Sequence, residues 1–317
     1  MILILDRKRP HANDDTLSHQ ERVYQAIVRL GGQAVRLYLE EVPKPVQFAM
    51  VPGRPGQGHV RPEAGMPAIA LADINVVYSR YMIDTINPNT VRSEDAKLNQ
   101  SLFREIDSAF GSLLRGMDVV WVDHPDAYHQ HMFKSYQYQL MMQAGLPVPD
   151  TVITNDPDTV IAFWQKHQGR VVYKPCWFGA FTSRLTEADL TPERLANLGE
   201  APVNFQELID GTDVWIYAVG RQLFAAEVCS NRLDSREPDE ALEYRPIELP
   251  EPVKHQCFEL MDLLNLRFAA IDTRRRDSDG TYFFFEGNPS PVFEYFEEQT
   301  GYPVCQTLAQ YLIDHDR

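Results

Sequence analysis

Paired cysteines, an excess of basic residues and long apolar runs are all missing from this chain of 317 residues. Its four cysteines are scattered and form no C-x-x-C pair, which favours a reducing compartment. With 30 Lys and Arg against 45 Asp and Glu, the net charge of −15 argues against partners such as nucleic acid or anionic membranes. The apolar start Met1–Leu5 is too short for a signal sequence, and no later stretch reaches the length of a membrane span, so we expect a cytoplasmic protein.

The common nucleophile, zinc and nucleotide-loop motifs are also missing. The chain contains no G-x-S-x-G, no H-E-x-x-H, no G-x-x-x-x-G-K and no strand followed by G-x-G-x-x-G. His129 and His131 lie two residues apart in a predicted helix, where such positions do not face each other, so no zinc site is predicted there. These absences argue against hydrolases, zinc proteases, P-loop proteins and Rossmann dehydrogenases.

Alternating strand and helix patterns predict an α/β fold. A strand at Ile2–Leu5, a helix at Leu17–Leu30 and a strand at Ala34–Leu39 have the rhythm of a βαβ unit. The stretch from Pro43 to Pro67 contains six prolines and four glycines, which predicts a long loop.

Further along the chain, two longer helices are predicted. The first covers Ser93–Arg115 and is capped by Ser93, and the second covers roughly Tyr128–Gln143 and is stopped by Gly145. A chain of this length is expected to fold as two or three lobes, with the first boundary near the second helix.

A candidate metal site lies near the C-terminus. Asp272 lies on one apolar strand, and Glu286 and Asn288 end the next strand, with a turn at Asp277–Gly280 between them. Because residues i and i+2 of a strand share a face, Glu286 and Asn288 are expected to point the same way, towards Asp272. Two carboxylates and an amide suit a hard cation such as Mg²⁺. The alternative is that these are solvated residues flanking a hairpin.

Two lysines are candidate phosphate ligands. Lys174 ends an apolar strand and precedes a loop with Gly179, which places an ammonium group next to a flexible turn. An edge-strand lysine that blocks aggregation is the alternative. Lys134 lies at the start of a helix, where taken singly it reads as a surface residue.

The segment Phe205–Ile209 is a candidate nucleotide-binding strand. Its backbone around Gln206 and Glu207 could meet an adenine edge while Leu208 and Ile209 pack on the ring, and Asp213 could accept a ribose hydroxyl. A plain buried strand with Glu207 at its rim is the alternative.

Five short motifs occur in an order that resembles the ATP-grasp carboxylate ligases. They are Lys134 ahead of Ala144–Pro149, Lys174 after a β run, Gln206–Ile209, Asp272, and Glu286–Pro289. Within that superfamily the chain looks most like the ribosomal-protein glutamate ligases and the ligases that cross-link microviridin-type (graspetide) peptides. The resemblance covers nearly the whole chain.

The resemblance implies an α/β ATP-grasp fold with an N-terminal pre-ATP-grasp βαβ domain. The expected domains are residues 1–125, a small central lobe at 126–200, and a C-terminal lobe with the metal site at 201–317. The implied cofactors are ATP and Mg²⁺, with one or two ions and with Mn²⁺ as a substitute. Lys134 and Lys174 would hold phosphates, Gln206, Glu207, Leu208, Ile209 and Asp213 the nucleoside, and Asp272, Glu286 and Asn288 the metal.

The implied reaction phosphorylates a substrate carboxylate and couples it to an amine or hydroxyl. The substrate would be a small molecule or a peptide. A homodimer is compatible with the sequence. Two departures from the family stand out, because Gly179 is the lone glycine of an aromatic loop and Trp215 occupies a position where related ligases carry Arg. Arg232, Arg236 and Arg245 are the candidate replacements, and Arg236 is the preferred catalytic cation. The alternative function is a nucleotide-binding regulatory or scaffold protein that has lost turnover.

Overall fold

The computed structural model describes residues 1–7, 18–54, 57–63, 65–80, 96–177, 180–230, 232–233 and 242–316. The predicted cap Ser93, the loop glycine Gly179 and the predicted catalytic Arg236 lie outside these residues.

The N-terminal part contains a four-stranded parallel sheet with strand order β2-β1-β6-β7. Its elements are β1 (Ile2–Asp6), α1 (His19–Arg29), β2 (Ala34–Tyr38), β3 (Gln47–Met50), β4 (Gly58–Arg61), β5 (Ile69–Ala70), β6 (Val76–Ser79), α2 (Ala96–Arg115), β7 (Val120–Val122), α3 (Pro125–Met132) and α4 (Lys134–Gln143). Every residue of β1 is buried, because helices and neighbouring sheets cover both faces of the parallel sheet.

Two sequence-based expectations are wrong in this part. The stretch from Pro43 to Pro67 is not only loop, because β3 and β4 pair there and join β5 in a small antiparallel sheet. Val60 of β4 is 1% exposed, so this small sheet contributes to a hydrophobic core. The predicted helix Tyr128–Gln143 is in fact two helices, which are separated at Phe133.

The middle part forms a small antiparallel sheet with strand order β10-β9-β11-β8. Its elements are β8 (Thr151–Thr154), α5 (Pro157–Lys166), β9 (Val171–Pro175), β10 (Ser183–Arg184), α6 (Pro192–Leu195) and β11 (Val203–Glu207). Asp156 accepts hydrogen bonds from the backbone of Asp158 and Thr159 and so caps α5, as its position before Pro157 predicts.

The C-terminal part forms a five-stranded antiparallel sheet with strand order β14-β13-β12-β15-β16. Its elements are β12 (Gly211–Val219), β13 (Gln222–Cys229), β14 (Glu243–Ile247), α7 (Glu251–Leu263), β15 (Phe268–Arg276), β16 (Tyr282–Asn288), α8 (Glu294–Thr300) and α9 (Val304–Asp314). The predicted hairpin between β15 and β16 is present, with a β-bulge between Asp272 and Thr273.

The largest core joins the first and last parts of the chain. Ile4 and Tyr78 of the parallel sheet and Tyr217 and Phe268 of the five-stranded sheet belong to one buried cluster, together with residues of α9. No described helix is long and apolar enough to cross a bilayer.

Candidate active site

A cleft of about 900 Å³ lies between the small sheet and the five-stranded sheet. Nine of the sequence-predicted site residues line it: Lys134, Lys174, Gln206, Glu207, Leu208, Ile209, Asp213, Asp272 and Glu286. These residues lie up to about half the chain length apart in the sequence, and the fold brings them together in one cleft.

The five-stranded sheet presents the acidic residues in rows across its strands. Trp215, Asp272 and Glu286 are directly opposite one another on β12, β15 and β16, and directly opposed residues share a face. The bulge leaves Phe285 without an opposite residue, so that Phe285 and Glu286, although adjacent, both face the cleft. The row therefore places two carboxylates side by side.

One lysine neutralises part of this acidic charge. Lys134 Nζ lies 2.7 Å from Glu286 Oε2, and the two side chains are 17% and 15% exposed. This burial rules out both a surface-helix role for Lys134 and a solvated-turn role for Glu286. The ion pair joins the first turn of α4 to the end of β16.

The two carboxyl groups have opposite pKa shifts. Burial, followed by the Glu286 carboxylate, raises the pKa of Asp272 well above its usual range. Burial would also raise the pKa of Glu286, but the charges of Lys134 and His131 outweigh it and hold that pKa below its ordinary value. The proton of this pair therefore resides on Asp272 when no cation is bound.

Gln137 fixes α4 against the strand that carries Glu286. Its Nε2 donates to Gly287 O at 3.2 Å, and its Oε1 accepts from Gly287 N at 3.1 Å. Gln137 is 2% exposed and lies three residues after Lys134, on the same side of the helix. This pair of bonds sets the distance between Lys134 and Glu286, and the sequence analysis did not identify it.

Lys174 lies on an interior strand with two aromatic neighbours. β9 pairs on both sides, with β10 and β11, which excludes the edge-strand alternative. Lys174 Nζ donates to Tyr138 Oη at 2.9 Å and lies 5.3 Å from the centre of the Phe285 ring. Attraction to the aromatic ring helps to hold the ammonium group at the cleft.

The predicted nucleotide-binding strand is held largely by the small lobe. Gln206 Nε2 donates to Thr151 Oγ1 at 2.9 Å, and Glu207 Oε1 accepts from Asp150 N at 3.0 Å. The amides of Glu207 and Leu208 donate to backbone carbonyls. Within the described part of the chain, the Ile209 N–H has no acceptor, so it is the amide of this segment that is open to a ligand.

Asp213 has a cationic partner that the sequence analysis missed. Arg274 lies directly opposite Asp213, with Arg274 Nε 2.7 Å from Asp213 Oδ1 and Arg274 Nη2 3.2 Å from Asp213 Oδ2. Strand alternation could have revealed it, because Arg274 is two residues after Asp272 and shares its face. Of the proposed replacements for an arginine at Trp215, Arg245 instead lies 63% exposed near Glu227.

Asn288 lies one row further along the sheet than the two carboxylates. It is opposite Ala270, and its Oδ1 accepts a hydrogen bond from Ser290 N at 2.8 Å. It does not line the cleft as Asp272 and Glu286 do. A carbonyl oxygen has a second lone pair, so this bond leaves Asn288 able to act as a ligand.

The donor set fits a hard divalent cation. Asp272 and Glu286 are close enough for one to raise the pKa of the other, and Lys134 supplies only one compensating charge. No cluster of three His, Cys, Asp or Glu side chains occurs among the described residues, and Asp272 and Glu286 are the two carboxylates that a cation at this place would meet. Mg²⁺ is commonly held by one or two carboxylates, with water and phosphate oxygens completing its shell.

Known proteins show the same architecture. No protein-family model matches the chain. The glutamate–LysW ligase ArgX of Sulfurisphaera tokodaii is 22% identical over 228 residues, which are 68% of this chain and 79% of that protein. The structure of the ATP-grasp ligase PsnB with minimal precursor, Mg and ADP is 26% identical, with a TM-score of 0.82 over 99% of this chain and 98% of that chain. This chain has the ATP-grasp fold.

A second ATP-grasp structure agrees over the full length. The macrocyclase MdnC of Microcystis aeruginosa, bound to precursor peptide MdnA, is 26% identical, with a TM-score of 0.81 over 98% of this chain and 99% of that chain. The resemblance inferred from the five motifs is therefore confirmed, and so is the α/β ATP-grasp fold class. Similarity to ligases over nearly the whole chain supports ATP-dependent ligation.

Proposed function

We propose that this protein is an ATP- and Mg²⁺-dependent ligase that activates a carboxylate as an acyl phosphate and couples it to an amine or hydroxyl. The observation that carries the proposal is the convergence of Lys134, Lys174, Asp272 and Glu286 in one cleft. Phosphoryl transfer needs positioned cations more than a protein nucleophile, and the cleft offers such cations.

The chain's own residues divide the cleft into a nucleoside end and a phosphate end. The open Ile209 N–H would donate to the adenine edge, Leu208 and Ile209 would pack on the ring, and the segment's Gln206 and Glu207 would fix the strand. Asp213, oriented by Arg274, would accept a ribose hydroxyl.

At the phosphate end, the positive charges of the lysines and of Mg²⁺ would offset the negative charge of the phosphoryl group that is transferred. Lys134 and Lys174 would donate to phosphate oxygens, and Asp272, Glu286 and Asn288 would hold Mg²⁺. When bound, Mg²⁺ neutralises phosphate charge and orients the phosphates. Arg236 remains the proposed catalytic cation for the acyl phosphate.

In the first step, a carboxylate oxygen attacks the γ-phosphorus of ATP, and the bond to the bridging oxygen breaks so that ADP leaves with the electron pair. In the second, an amine or hydroxyl attacks the carbonyl carbon and inorganic phosphate leaves, while the nucleophile's proton passes to solvent. The products are an amide or ester, ADP and phosphate.

A peptide substrate is the favoured class. PsnB and MdnC were solved with precursor peptides, and both resemble this chain over nearly its whole length. The net charge of −15 gives no basis for a nucleic-acid substrate.

The test is ADP release with ATP, Mg²⁺ and a panel of peptides that carry Asp or Glu side chains. Lys174→Met and Glu286→Gln should each lower turnover by at least about 100-fold, since each removes charge from the transition state. Lys254→Met is a matched control, because Lys254 pairs with Glu248 and Glu251 and is not among the residues that line the cleft.

Nucleotide binding without ADP release on any peptide of the panel would support the regulatory alternative. Normal turnover by both cleft variants would contradict the assignment of the cleft.

A further inference from the structure

Arg80 is a buried cation with almost no partners. It follows directly after β6, at the carboxyl end of the parallel sheet, and is 7% exposed. Its Nη2 donates to Ser290 O at 3.1 Å, while its Nε is buried and has no acceptor. Among the described residues, no carboxylate lies within 4 Å of its guanidinium group, whereas most other arginines in that part of the chain have one.

One acidic side chain near Arg80 contacts a different group through one of its oxygens. Glu294 is near enough for its pKa to respond to the charge of Arg80, but its carboxylate contacts His19 Nδ1 instead. An arginine carries five N–H donors, and burying such a charge with a single neutral acceptor is costly. The folded protein therefore keeps the buried guanidinium group of Arg80 with unsatisfied N–H donors.

Two hydrogen bonds hold Arg80 in position. Besides the bond from Nη2 to Ser290 O, the hydroxyl of Ser290 donates to Arg80 O at 2.7 Å. Ser290 N in turn donates to Asn288 Oδ1. Arg80 is thus tied, through one residue, to the strand end that carries the proposed metal ligands.

The rows of the five-stranded sheet show on which side of the proposed metal ligands Arg80 lies. Asp213 lies in the row nearest the proposed nucleoside end, and Asp272 and Glu286 lie in the next row. Asn288 lies in the third row, about 7 Å further along, since two strand residues advance by that distance. Arg80 is reached only beyond this third row, on the side of the metal site away from the nucleoside.

Electrostatics agree with this order. Tyr217 lies in the third row, and its pKa is raised first by burial and then by Asp272, while the charge of Arg80 opposes the rise. Tyr217 is therefore close enough to both groups for its pKa to respond to each of them. An anion held by Arg80 would lie beyond the metal ligands, on the side away from the nucleoside.

We propose that Arg80 binds the donor carboxylate of the substrate before phosphoryl transfer. This inference rests on the proposed function, because it takes the third row as the place where the γ-phosphate meets its acceptor. A planar guanidinium whose Nε–H has no acceptor suits the binding of a carboxylate. Arg80 is then a specificity-determining residue, which selects a carboxylate over a neutral acceptor.

The experiment uses the whole protein labelled with ¹⁵N-arginine, and it observes the Nε–Hε resonances by NMR. The Arg80 signal is identified by its loss in Arg80→Lys, and Arg194→Gln, in the small lobe, serves as the matched control. Acetate is titrated into the protein saturated with Mg²⁺ and ADP, with sodium chloride at equal ionic strength as the blank.

We expect a saturable downfield shift of the Arg80 signal with acetate and none with chloride. An unchanged signal, in a protein that visibly binds Mg²⁺ and ADP, would overturn the inference while leaving the proposed function intact. A protein that does not bind Mg²⁺ and ADP would refute the proposed function, and the acetate response would still decide whether Arg80 is an anion site.

Kinetics give a second readout. With a peptide that supports turnover, Arg80→Lys should raise the KM for the peptide at least 10-fold and leave the KM for ATP within twofold. Equal increases in both would mean that Arg80 only supports the fold, and would also overturn the inference.

Discussion

Replacing Asp272 by asparagine should uncouple nucleotide binding from proton release. In the metal-free protein, burial and Glu286 raise the pKa of Asp272, so that this carboxyl keeps its proton to a higher pH than an ordinary aspartate does. A metal ligand must be deprotonated, so binding of Mg²⁺ and ADP has to expel that proton.

The size of the expected effect follows from the release of one proton from Asp272 when Mg²⁺ and ADP bind. Below the raised pKa of Asp272, the affinity for Mg²⁺ and ADP should rise about tenfold per pH unit, or about 1.4 kcal/mol. The window runs from the ordinary carboxyl pKa up to the raised value. Asp272→Asn keeps the shape of the side chain but has no proton to lose. We therefore expect its affinity for Mg²⁺ and ADP to be weaker and to lack this tenfold rise per pH unit.

Isothermal titration calorimetry in PIPES and in Tris measures the effect, because the two buffers differ in protonation enthalpy. ADP releases a proton of its own near neutral pH, so the quantity of interest is the difference between the wild type and Asp272→Asn. We expect that difference to approach one proton at a pH inside this window. A difference of zero, with both proteins binding, would refute the charge distribution described for this pair.

The same reasoning gives a stability test in the absence of metal. Because the folded pKa of Asp272 is raised, the wild type is favoured at low pH and loses stability as pH rises through the window. Asp272→Asn should therefore gain stability relative to the wild type as the pH rises from the ordinary carboxyl pKa to the raised one, as urea denaturation would show. Asp262→Asn is the control, since Asp262 is 65% exposed and pairs with Arg221.

Three further variants test the packing around the cleft. Lys134→Met leaves the carboxylates of the site without their cation and should cost about 2 kcal/mol of unfolding free energy in urea, and an unchanged midpoint would contradict the ion pair. Gln137→Leu removes both hydrogen bonds between this side chain and Gly287 and leaves the buried Gly287 N–H without its acceptor, so we expect a loss of about 2 kcal/mol, and a loss below about 0.5 kcal/mol would argue against this pair of hydrogen bonds. Gly211→Ala would place a Cβ 2.0 Å from Arg275 O and should lower stability by about 3 kcal/mol, whereas Gly199→Ala, with no atom within 4 Å, should be nearly neutral by thermal denaturation. Equal melting temperatures for these two glycine variants would refute the close approach of β12 and β15.

The parts of the site that could be predicted were those encoded by local patterns. The hairpin of Asp272 and Glu286 was found because two apolar runs flank a turn ending in Gly280, and strand alternation then fixes which side chains share a face. Lys174 was found because it ends an apolar run. In both cases a few consecutive residues carry the information.

The missed features depend on contacts between distant residues. Gln137 is an unremarkable helix residue until Gly287 is packed against it, and Arg80 becomes informative only when Ser290 and the sheet rows are known. Pairing of β3 with β4 was hidden by the prolines and glycines around them, because such residues predict loops locally while the pairing is decided by burial of Val60.

The bulge beside Asp272 makes the length of the hairpin a determinant of core packing. Deleting a single residue between Arg276 and Phe285 would tend to restore an unbroken ladder in which Glu286 stays opposite Asp272, while the side chains between the turn and the bulge slip by one position and turn to the other surface. Phe284, which is fully buried, would then leave the core. Shortening of loops is a usual way to raise thermal stability, but at this hairpin it would disturb the strand register. Lengthening the exposed tip of the hairpin would leave that register unchanged.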